Sequence, residues 1–117
     1  GCASAKGQAK AKDQEKTFDQ TLVVLRHSIR SDFEDPSYKD TDEYKAWPFD
    51  TSITEKGVSL AVDVARELAE LDSKAHFAMV VCSPYYRCMQ TAAEVTRVLK
   101  IPVLIDQEIG EVWDEAM

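Results

Sequence analysis

At 117 residues the chain has room for one small domain. Its net charge of −7 argues against general binding to nucleic acid or anionic membranes, and no apolar run approaches the roughly 18 residues that a membrane span needs. Three cysteines, Cys2, Cys82 and Cys88, show neither zinc spacing nor the even count of a disulfide framework, which suits a reducing, cytoplasmic setting.

Residues 1–16 are rich in Ala, Lys, Gln and Ser without a large apolar side chain, so a disordered tail is expected over 1–18, ahead of a folded part at 19–117. Four lysines there outnumber Asp13 and Glu15, which leaves the rest of the chain still more acidic. A phosphate site on such a body has to concentrate its own positive charge. Acylation at Gly1 and Cys2 is the one route to membrane contact, and Ala5 stands where that pattern wants Ser or Thr. The unmodified tail is therefore the expectation.

Thr21-Leu22-Val23-Val24-Leu25 reads as a short strand buried on both faces. Residues 31–52 lack periodicity but hold Phe33, Tyr38, Tyr44, Trp47 and Phe49, which favours a folded flap. Helical spacing follows: Ala61, Val64, Ala65, Leu68 and Leu71 share a stripe, with Thr54 or Ser52 as N-cap and Glu55 in the first turn. Residues 77–82 form a second apolar strand, and Ser83-Pro84 looks like the start of a helix running to about Leu99, with Cys88, Ala92, Val95 and Leu99 inward. Val103-Leu104-Ile105 is a third strand. Alternating strands and helices predict an α/β fold with a mainly parallel sheet, which binds ligands beyond the carboxyl ends of its strands. Arg26-His27 and residues 83–87 fall there.

A lone histidine after a strand is more often structural than catalytic. The balance shifts because Arg87 recurs one turn into the later helix and Glu111 follows the third strand. Arg26-His27 resembles the Arg-His-Gly motif of the histidine phosphatase (phosphoglycerate-mutase-like) superfamily. Residues 50–57 are similar to its D-x-x-L-T-x-x-G opening of a helix, residues 83–92 to its S-P-x-x-R-x-x-Q-T-A segment, and Ile109-Gly110-Glu111 to its L-x-E acid. Arg30 and Asp32 look most like the branch of the suppressor-of-T-cell-receptor-signalling phosphatases. The resemblance spans about residues 20–115 and implies a three-layer sandwich, of which this chain would be the N-terminal part.

The resemblance also implies a reaction: hydrolysis of a phosphomonoester, small-molecule or protein, through a phosphohistidine at His27. Glu111 would serve as general acid and then base, Arg26, Arg30 and Arg87 would bind phosphate, and no metal or cofactor is needed. Two departures stand out. Ser28 replaces the usual Gly, and the family's second catalytic histidine has no counterpart, since His76 reads as a surface loop residue. The chain also begins with Gly and stops at Met117 without an ending signal, so the expectation is a fragment of low or no activity. Three other readings stay open. A phosphate-binding module of the same fold would keep the arginines without turnover. A phosphoglycerate-type mutase would need contacts after Arg-His that are not seen here. A cysteine phosphatase built on Cys82 and Arg87 lacks the required five-residue, Gly-bearing spacing.

Overall fold

The computed structural model describes the backbone of Cys2–Ser4 and the whole of residues 19–110. Glu111 and most of the expected tail lie outside the described residues. In chain order the elements are β1 (Cys2–Ser4), β2 (Thr21–Val23), α1 (Ser31–Glu34), a 3-10 turn (Pro36–Asp40) and α2 (Asp42–Ala46). They continue with α3 (Glu55–Ala75), β3 (Val80–Cys82), α4 (Tyr86–Leu99), β4 (Val103–Ile105) and a closing 3-10 turn (Gln107–Ile109). No helix of the described residues is long and apolar enough to cross a membrane.

The sequence signals for α3 act as expected. Thr54 caps it by accepting the Gly57 N–H at 2.8 Å. Gly57, Ala61 and Ala65 recur every four residues and are buried, and α3 packs along this side of the chain against α4. On α4 the inward residues are Arg87, Thr91, Ala92 and Val95. Small alanines on both helices let the two backbones approach closely. Each helix stops where the chain turns left-handed, α3 at His76 (φ 52°) and α4 at Lys100 (φ 57°).

The unit β3–α4–β4 forms a parallel pair in the register Val80↔Val103, Val81↔Leu104, Cys82↔Ile105. Asp106 N–H bonding to Cys82 O at 2.9 Å extends it by one rung. Mixed helices and strands with a parallel sheet are thus present. Two expectations need correcting. β2 pairs antiparallel with β1 rather than with β3, so Cys2–Ser4, inside the stretch read as a tail, form a strand. Nor is the run Thr21–Leu25 buried on both faces: Leu22 in β2 is 62% exposed and Val24, just past it, 61%. An apolar run shows that a strand seeks cover; it does not show what supplies that cover.

The flap is folded, and both its 3-10 turn and α2 carry their own caps. Asp35 accepts the Ser37 N–H, and Thr41 accepts the Tyr44 N–H. Tyr38 and Tyr44 meet edge to face with centroids 6.0 Å apart. The start of α4 lies two residues later than the Ser83-Pro84 signal suggests. Its first N–H, of Tyr86, donates to the Asp50 carboxylate at 2.6 Å, so a residue at the end of the flap takes the place of a local cap.

Candidate active site

Beyond β2 the chain runs without regular structure through residues 24–29, and its shape there is set by the two long helices. Ser28 N–H donates to Thr91 Oγ1 of α4 at 2.9 Å, and Ser28 O–H donates to Gly57 O of α3 at 2.7 Å. Thr91 in turn donates to Arg87 O at 2.8 Å. The Thr54 N–H donates to Ile29 O at 2.8 Å, and the Ser31 N–H to Ser52 O at 2.9 Å. A Cβ on Gly57 would lie 3.0 Å from Ile29 O and 3.1 Å from Ile29 N, so glycine is what permits this close approach. The serine found in place of the usual glycine thus serves as a latch.

Within this loop His27 is partly buried, and its Nδ1 lies 2.7 Å from Ser28 O. A carbonyl oxygen can only accept, so Nδ1 carries the proton and Nε2 keeps its lone pair in the neutral ring. A cavity of about 270 Å³ opens beside it, walled by residues Arg26, His27, Ser28, Ile29 and Arg30 with Phe33 and Leu60. A smaller one of about 100 Å³ lies toward Val64, Thr91 and Val95, and also touches His27.

The expected site residues divide into groups. Arg26, His27 and Arg30 share the larger cavity. Arg26 is exposed. Arg30 is held: its Nε and Nη2 donate to Asp32 Oδ1 and Oδ2 at 2.9 and 2.8 Å, and its guanidinium lies 4.0 Å over the Phe33 ring. Arg87 is not among the residues walling either cavity. It is 1% exposed, donates to Phe49 O at 3.2 Å and lies over the Tyr85 ring at 4.5 Å. Glu111 is outside the described residues, but Gly110 before it packs against Pro84 and Tyr85. His76 is exposed at the end of α3.

Cys82 is buried, and that burial, with Cys88 nearby, pushes its thiol up from the ordinary value. A nucleophilic cysteine needs the opposite shift, so the cysteine-phosphatase reading loses its nucleophile. Sequence reasoning assigned no task to Thr91, Gln90 or Asp50, yet these pin the site: Gln90 Oε1 accepts the Ile53 N–H at 2.8 Å. Their signal was present in the Q-T-A and D-x-x motifs, whose shared residues here act as struts.

Comparison with known proteins shows the family. The Histidine phosphatase superfamily (branch 1) profile matches residues 38–114. The chain belongs to the histidine phosphatase superfamily. The match begins at Tyr38 and so leaves the Arg26-His27 segment to be judged on its geometry. Over 91 residues the chain is also 33% identical to the transcription factor tau 55 kDa subunit of Saccharomyces cerevisiae. That similarity takes in 78% of this chain and 20% of the yeast protein.

Proposed function

We propose that the protein hydrolyses phosphomonoesters, small-molecule or protein, through a phosphohistidine at His27. The observation that carries this reading is the Nδ1–H bond to Ser28 O, which leaves the Nε2 lone pair as the ring's one nucleophilic position. Nε2 attacks phosphorus as the ester P–O bond breaks, and Glu111 protonates the departing oxygen. Water then attacks the phosphoryl group, Glu111 takes its proton, the N–P bond breaks, and inorganic phosphate leaves. The transferring group is loose and its charge spreads over three oxygens, so paired guanidinium donors suit it. Arg26 and Arg30 supply these from the cavity wall, while Arg87, buried on α4 outside both cavities, takes the part of a support rather than a phosphate ligand. Family membership supports either phosphatase or mutase chemistry. Hydrolysis is preferred because no mutase-type contacts follow Arg26-His27. Arg30 and Asp32 support placement near the suppressor-of-T-cell-receptor-signalling branch.

The open cavity with its single histidine supports low activity for these 117 residues alone. The open face of the β3–β4 pair supports a three-layer arrangement in which a further layer covers it. Free thiols at Cys82 and Cys88 support a reducing, cytoplasmic setting. The test is hydrolysis of para-nitrophenyl phosphate. His27→Ala should abolish whatever rate the chain shows, while iodoacetamide should leave it unchanged. Equal rates with and without the histidine sink the proposal.

A second reading, a phosphate-binding module within a larger assembly, is favoured by the similarity to a transcription factor subunit. It predicts binding of inorganic phosphate without turnover.

A further inference from the structure

Arg30 is the cavity residue whose behaviour sequence alone describes least well. A phosphate-binding arginine is expected to be a free cation, yet Arg30 is engaged in a two-bond fork with Asp32. Asp32 is 8% exposed, and the Thr51 hydroxyl, on a residue 1% exposed, donates to its Oδ1 at 3.1 Å. Phe33 supports the guanidinium from one face. Two of the five N–H donors of Arg30 are committed to this fork, which leaves three for the cavity it lines.

The geometry points to Asp32 as a positioning residue: with Thr51 behind it, it fixes the guanidinium of Arg30 so that the remaining donors meet a phosphoryl group at His27. The inference rests on the reading of the cavity as a phosphate site. Two effects of the carboxylate oppose each other. Its charge cancels that of Arg30 and weakens long-range attraction for a dianion. Its fork removes the rotamer freedom that an unsupported arginine has to lose on binding, a difference worth about ten-fold in an equilibrium. In a partly buried site the second effect dominates, because the fork and the Phe33 face set direction as well as order.

The opposed signs make the test decisive. Inorganic phosphate is titrated into the full chain while NMR follows the His27 ring and the Arg30 Nε–H. In the wild type the Arg30 Nε–H is protected from solvent exchange and the His27 ring responds to phosphate. In Asp32→Asn that protection is lost and phosphate affinity falls about ten-fold. Thr51→Val keeps the fork but removes its support, gives an intermediate loss, and decides the matter if Asp32→Asn does not fold. Binding by the variants that equals or exceeds the wild type overturns the inference, since Asp32 then merely competes for Arg30. A lower melting temperature with unchanged affinity in the folded fraction overturns it as well. A wild-type His27 ring that ignores phosphate is a different failure, in which the phosphate-site reading falls and carries this inference with it.

Discussion

The Ser28 carbonyl holds Nδ1 of His27, and the Asp32 carboxylate holds two donors of Arg30. The Asp32 carboxyl is pushed up by its burial. Hydrogen bonds from Arg30 and Thr51, with the charge of Arg30, outweigh that and hold it below the ordinary value of 3.8. The folded state therefore binds this proton more weakly than the unfolded chain. The stability it contributes is complete above the unfolded value of about 3.9 and is lost as pH falls through the lowered folded value. Asp32→Asn should lack this part of the acid loss, as read from denaturant midpoints between about pH 5 and pH 2. Parallel pH profiles for the two proteins contradict the account. At this scale the sequence placed Arg26 and His27 beyond a strand, and the structure puts both on the wall of a cavity there. The Arg30–Asp32 fork was not legible, since whether residues two apart meet depends on the local backbone, which here turns into α1 at Ser31.

Among the elements, the His27 loop lies close against the first turn of α3. Gly57→Ala places a methyl group 3.0 Å from Ile29 O, and that oxygen is already fixed by the Thr54 N–H at 2.8 Å. Neither side can give, so the variant should lose about 1–3 kcal/mol in denaturant unfolding and weaken phosphate binding at His27. Unchanged stability contradicts this packing. The start of α3 was readable because its cap and its buried stripe are local, three and four residues apart. The start of α4 was not, because its first N–H is satisfied by Asp50, 36 residues earlier. Ser83-Pro84 is a sound local signal overruled by a distant carboxylate.

For the whole molecule, the parallel pairing of β3 and β4 followed from strand, helix and strand in succession. What the pattern could not give was the surroundings of the strands. Leu22, Val24, Val81 and Leu104 all stand open, the last at 54% exposure. Open apolar strand faces associate, so the 117-residue chain should self-associate in sedimentation velocity experiments despite its charge of −7. Leu104→Lys should reduce that association without lowering stability, and an unchanged distribution of species contradicts it.

If His27 carries the phosphoryl group, as proposed, the group can be trapped there. The chain is mixed with para-nitrophenyl phosphate, quenched in alkali, where phosphohistidine survives, and digested for mass spectrometry. The account predicts one phosphoryl group on the peptide containing His27, absent from His27→Ala. Label on another residue, or no label under conditions that release nitrophenol, contradicts it.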